Sequence, residues 1–236
     1  MLVKQESTQR NSTSKLLKLT DMKPRIIYCY DAYCGWCFGF SPVIKDLWTR
    51  YGNTFDFETL SGGMIPVEST NHIGNIAGYI REAYKHVEDM AGVTFGEDFL
   101  WHINNPDQSD WFPNSEMPAV AMTIFREKFP AATVGFASDL QNALYSEGRD
   151  LTDKEAYRHL LEKYDMDADE FYTKLADPAY TEKAHYDFSL VKQLGVSGFP
   201  CVFLQLEESK LYMIARGYSD GPTIEKRISN ILAENN

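Results

Sequence analysis

Two cysteines separated by two residues, Cys34-Gly35-Trp36-Cys37, stand between a β-type run and a helix-type run, and that placement constrains the chain more than any other feature. Arg25-Ile26-Ile27-Tyr28-Cys29-Tyr30-Asp31 is β-branched and aromatic without a helical period, so it reads as a strand. From Gly35 to Arg50 the apolar residues Phe38, Ile44, Leu47 and Trp48 share one helical face, and Gly52-Asn53 ends the run. Residues 54–60, where Phe55 and Phe57 alternate with Asp56 and Glu58, form a second strand stopped by Ser61-Gly62-Gly63. Strand, motif, helix and strand make a βαβ unit with a parallel pairing. At the first turn of a helix a two-residue spacer lets two thiols meet in a small ring. The unpaired amides and partial positive charge there stabilise a thiolate. Cys34, the outer and more exposed thiol, is the expected nucleophile, and Cys37, one turn in, the thiol that resolves a mixed disulfide.

The same spacing also serves half a zinc site, which needs a second ligand pair. The other cysteines, Cys29 and Cys201, are single, and His72, His86, His102, His159 and His185 lack ligand spacing. Redox chemistry is therefore the reading carried forward, with no metal expected.

Residues 70–194 look wholly helical. Helices are expected at about 72–91, 116–129 and 133–147, with an Asn-, Asp- and Pro-rich loop at 104–114. Thr152-Asp153-Lys154-Glu155 has the capping-box form ahead of Ala156, Leu160, Leu161 and Tyr164. Asp177-Pro178 starts another helix, striped by Ala184, Phe188, Val191 and Leu194 and closed by Gly195. Strand character then returns at 201–206 and 211–218, joined by a hairpin at 207–210, and Asp220-Gly221-Pro222 opens a last helix.

The second signal is Val196-Ser197-Gly198-Phe199-Pro200-Cys201. A proline at the threshold of a core strand cannot donate to the ladder, and a cis-proline turn fits there best. Alone, it would read as an ordinary turn proline.

Taken with the order βαβ, helical block, ββα, these motifs resemble the thioredoxin fold, and the helical block between its halves is similar to the DsbA family. The string Asp31-Ala32-Tyr33-Cys34-Gly35-Trp36-Cys37-Phe38-Gly39-Phe40 resembles a non-secreted, dithiol–disulfide isomerase branch of that family. The expected fold class is thus α/β: a DsbA-like thioredoxin fold over 23–236, with halves at about 25–65 and 195–234 and an all-helical insertion at about 70–194. Pro42 resembles the kinking proline of the thioredoxin helix. The resemblance implies that Pro200 is the cis-proline facing the cysteine pair, and that the Phe199 backbone pairs with an extended substrate. It also implies that Trp36 and Phe199, beside Gly35, contact the attacked disulfide. Two features depart from the family. Its buried acid six residues before the nucleophile is Tyr28 here, with Asp31 placed too late to take that role, and the spacer lacks histidine. A pair less oxidising than DsbA is expected.

Cys29 and Cys201 read as small buried hydrophobes, with a sharper alternative in which Cys201 approaches Cys37 and traps it as a disulfide. Among the aromatics of the helical block (Tyr79, Tyr84, Phe95, Phe99, Trp101, Trp111, Phe112), packing is the expected role, with some lining a groove over Cys34.

The charge balance, 34 acidic against 23 basic residues and a net −11, argues against nucleic acid as a partner and against docking on anionic membranes. No apolar run approaches the roughly 20 residues of a membrane span. Residues 1–22 read as a polar tail without the parts of an export signal, with Met22 as a candidate start of the functional domain. A cytoplasmic location follows as an expectation. The expected function is thiol–disulfide exchange on a protein or small-thiol disulfide. It needs no cofactor, and glutathione or a thioredoxin-type partner acts as reductant. Two alternatives stay open: a redox-sensing adaptor that binds a client protein, and a glutathione-dependent isomerase or transferase of the kappa-like class.

Overall fold

The computed structural model describes residues 23–235; the polar tail and the reading of Met22 as a start lie outside them. Four strands form one sheet: β1 (Arg25–Tyr30), β2 (Asp56–Ser61), β3 (Cys201–Glu207) and β4 (Lys210–Arg216). Their order is β2-β1-β3-β4, with β2 parallel to β1 and the other two pairings antiparallel. The parallel pair needs a crossover, and α1 (Gly35–Tyr51) supplies it. β2 starts two residues later than expected, and β4 stops at Arg216 because Gly217 turns into the left-handed region, φ +73°.

Between β2 and β3 the chain is helical, as its patterning implied: α2 (Gly74–Ala91), α3 (Glu97–Asn104), α4 (Glu116–Lys128), α5 (Thr133–Tyr145), α6 (Arg158–Lys163), α7 (Ala168–Leu175) and α8 (Pro178–Gln193). α9 (Gly221–Asn235) follows β4, its Asp220 carboxylate accepting from the Thr223 amide at 2.7 Å. The Asp177 carboxylate caps α8 at the Ala179 amide, with Pro178 inside the start. The expected capping box is shifted by one residue. Asp153, not Thr152, accepts from the Glu155 amide, because Thr152 is held by the Asp150 carboxylate through both its amide and its hydroxyl. A 3₁₀ turn at Lys154–Tyr157 therefore precedes α6.

Strand alternation divides the core. Ile26, Tyr28, Tyr30, Val202 and Leu204 face the large apolar cluster that contains the buried side of α1. Ile27, Cys29, Leu60, Cys201 and Phe203 face the other way, against Val191 of α8. A partly buried ion pair fixes the end of β2 to the helical block. Arg126 of α4 grips Asp187 of α8 at 2.6 Å and donates to the Thr59 carbonyl, while Asp187 accepts from the Ser61 amide. That anchor holds the Gly62-Gly63 loop beside the end of β1, where the chain turns into the cysteine motif.

Candidate active site

β1 ends at Tyr30, and the next four residues form the turn that delivers Cys34 to the N-cap of α1. The Cys34 amide donates to the Asp31 carbonyl at 3.1 Å. Asp31 organises the surroundings: one carboxylate oxygen accepts from the Tyr33 amide (3.0 Å) and the Ser115 hydroxyl (2.9 Å), the other from the Met64 amide (2.8 Å). Three separate segments are thereby tied to one buried carboxyl, 1% exposed. Burial pushes its pKa up, and those hydrogen bonds oppose the rise. From the sequence alone Asp31 carries no role, being too near Cys34 for the family's proton transfer. Its work as a tether depends on contacts 33 and 84 residues away.

At the helix start the Cys37 amide donates to Cys34 Sγ at 3.3 Å, as an N-terminal amide does for a capping side chain. The Cys34 thiol donates to the Phe199 carbonyl at 3.5 Å. Phe199 precedes Pro200, and the peptide between them is cis. Cys34, Cys37, Phe199 and Pro200 therefore converge at one place although 165 residues separate Cys34 from Phe199. Cys34 is the more open of the pair, as expected, although both are buried, at 6% exposed against 0% for Cys37. Burial, then the adjacent Cys34 sulfur, pushes the Cys37 thiol well above its ordinary range. All four thiols are free.

Tyr28, standing where the resembled family has an acid, is fully buried, and its hydroxyl has no oxygen or nitrogen partner. Burial, followed by Cys37 and Cys34, raises that hydroxyl far above its usual pKa. Trp36 lies half-buried, its ring edge-on to His86 with centroids 5.4 Å apart.

Cys34, Gly35, Trp36 and Phe199 line one end of a cavity of about 670 Å³. Of the aromatics left open above, Tyr79, Tyr84, Phe95, Phe99 and Trp111 line it; Trp101 and Phe112 do not, and stand 44% and 51% exposed. Ile73 at the N-cap of α2 and Ile76 and Ile80 within it join them, and Lys192 is the one charged residue in the lining among the described residues. These isoleucines were not foreseen, although they repeat at helical spacing, which is also how a core stripe reads. Cys201 is not near Cys37. It faces the opposite side of the sheet, paired in register with Cys29, because alternation sends residues 28 and 29 to opposite faces.

Comparison with known proteins agrees with this architecture. The model of the DSBA-like thioredoxin domain matches residues 25–229. Among curated proteins, the ClpXP adapter protein SpxH of Bacillus subtilis is 22% identical over 179 residues, which is 75% of this chain and 57% of that protein. The chain thus spans little more than half the length of such relatives. A Nitrosomonas europaea structure assigned as a protein disulfide isomerase superposes with TM-score 0.77 at 20% identity, covering 91% of this chain and all of the other. The cytosolic disulfide reductase DsbM of Pseudomonas aeruginosa gives TM-score 0.68 at 20% identity, over 89% and 98% of the two chains. At these identities the likeness to solved structures establishes the fold alone.

Proposed function

This chain belongs to the DSBA-like thioredoxin domain family, and on that premise we propose that it exchanges disulfides through Cys34 and Cys37. The observation that carries the reading is the meeting of the Cys34 thiol with the Phe199 carbonyl, one residue before cis-Pro200, at the start of α1. The Cys34 thiolate attacks a substrate disulfide, forming a mixed disulfide and expelling the first substrate thiolate. Cys37, losing its proton, then attacks Cys34 Sγ. The Cys34–Cys37 disulfide forms, and the second substrate thiolate leaves. Reduction by two equivalents of glutathione, or by a thioredoxin-type dithiol, resets the pair. Trp36, Gly35 and Phe199 receive the groups flanking the substrate disulfide, and the apolar lining of the cavity favours non-polar flanks. The cytoplasm is the compartment proposed: no helix among the described residues is long and apolar enough to cross a membrane, and one structural neighbour is named a cytosolic reductase.

Insulin reduction coupled to glutathione tests this. Cys34→Ser should abolish turnover, and Cys37→Ser should accumulate a mixed disulfide at Cys34. Turnover that persists in Cys34→Ser ends the proposal. An equilibrium titration separates the directions of use: a potential near about −270 mV marks a reductant, and one above about −200 mV an oxidant or isomerase.

A second reading has its own support, since the curated relatives are named ClpXP adapters. In it the same surface binds a client protein, and the cysteines sense oxidation. A client complex that survives Cys34→Ser with Cys37→Ser would favour that reading over exchange.

A further inference from the structure

The exchange reaction leaves two cysteines unused, and they face each other. Cys29 of β1 and Cys201 of β3 are direct partners in the antiparallel register. Both side chains lie on the sheet face opposite α1, at 0% and 1% exposure, inside a small cluster with Leu60, Val191 and Phe203. Directly opposed residues of an antiparallel pair have Cα atoms about 4.5–5.5 Å apart in either hydrogen-bonding class. A disulfide spans Cα separations of about 4.4–6.8 Å, so closure needs no shift of the strands.

We propose that Cys29 and Cys201 are a second redox pair, a cross-strand dithiol that closes to an intrachain disulfide under peroxide. Its two sulfurs are out of reach of Cys34 and Cys37 across the sheet, so the oxidant must be small enough to enter the cluster, as hydrogen peroxide is. The Cys201 thiolate takes an oxygen from hydrogen peroxide, giving the sulfenic acid and hydroxide. The Cys29 thiol then attacks that sulfur, forming the S–S bond, and water leaves carrying the sulfenic oxygen and the Cys29 proton. Two thiols and one peroxide become one disulfide and two waters.

Cys201 is the residue that reacts first. Arg216 stands opposite it in the β3–β4 register, and this cation counters part of the rise that burial imposes on its thiol, which reaches about 11 against about 12 for Cys29. Closure is accordingly slow at neutral pH and quickens with rising pH. The bond would pin the residue after Pro200 to β1 and so fix the base of the loop that carries Phe199.

The test is thiol counting on the full chain. After hydrogen peroxide, the protein is denatured, alkylated and weighed. We expect all four thiols to be lost from alkylation, with a Cys29–Cys201 peptide found by mass spectrometry after digestion and released by dithiothreitol. Below pH 10 the closure rate should rise about tenfold per pH unit. In Cys34→Ser with Cys37→Ser, two thiols should still be lost with a mass decrease of 2 Da, and adding Cys201→Ser should prevent it. The proposal is overturned if Cys29 and Cys201 alkylate fully in both proteins, or if they end as separate sulfinic acids or intermolecular disulfides.

Discussion

Gly62 sits against the ring of Phe199, and replacing it by alanine wedges the ring out of its place. A Cβ built at Gly62 meets three Phe199 ring carbons at 2.1, 2.4 and 2.8 Å. Ordinary carbon contacts begin near about 3.5 Å, so the ring tip must withdraw by roughly 1.5 Å. The ring is not free to swing, because Phe199 packs against both apolar clusters and its carbonyl accepts from the Cys34 thiol. Overpacking of this kind costs about 1–3 kcal/mol. We expect Gly62→Ala to lose about 2 kcal/mol of stability in urea at unchanged m. Displacement of the carbonyl should slow disulfide exchange by about tenfold, the equivalent of 1.4 kcal/mol in the barrier.

A double-mutant cycle isolates the contact. Phe199→Ala removes the ring, and in that background Gly62→Ala should be neutral or gain a few tenths of a kcal/mol from a less flexible unfolded chain. The coupling energy between the two sites is then about 2 kcal/mol. An equal cost for Gly62→Ala in both backgrounds would refute the reasoning, since the penalty would then come from something other than the ring.

Asp31→Ala orphans the Tyr33 and Met64 amides and the Ser115 hydroxyl; a loss of about 3 kcal/mol in urea and slower exchange are expected, and full activity at unchanged stability would contradict the tether. Asp187→Ala leaves the half-buried Arg126 guanidinium without its partner and the Ser61 amide unpaired, and should cost about 2–3 kcal/mol by calorimetry or urea, against far less for exposed pairs such as Arg158–Glu155. An unfolded Cys29 thiol ionises near the ordinary 9.0, whereas burial holds the native one at about 12. Its contribution is therefore intact below pH 9 and drains away as pH climbs toward 12. By pH 11 the wild type should have lost about 3 kcal/mol more than Cys29→Ala relative to pH 8, and parallel curves for the two proteins would count against this.

How far the chain can be read without its structure follows from the range of each signal. The cysteine motif, the strand before it and the helix after it are local, and each boundary falls within two residues of its periodicity. The turn proline became informative only beside the motif, because neither carries a strong meaning alone. α3 and α7, each eight residues long, are too short for periodicity to separate from the general helicity around them. The Asp31 tether and the cavity wall were illegible for a different reason: both are made of contacts between remote segments, and Ile73, Ile76 and Ile80 look like any buried stripe. The Cys201 alternative failed on register, since a one-residue difference along β1 decides which face a side chain meets.

The fold thus holds two cysteine pairs, one at the start of α1 and one across β1 and β3, in different surroundings. Cys34 lies at a helix start, where the Cys37 amide points at its sulfur and an open cavity adjoins it. A thiolate there exchanges helix amides for water. Cys29 and Cys201 lie on adjacent strands among Leu60, Val191 and Phe203, where burial disfavours a sulfur anion and only Cys201, beside Arg216, is partly relieved. In the proposed exchange the helix N-terminus is what would let the first pair act on a bulky substrate, and the depth of the other would restrict it to oxidants small enough to enter. Moving a single methyl group toward Phe199 should slow the first pair and leave the second able to close, because the Gly62 wedge presses on the loop and not on the register of β1 with β3.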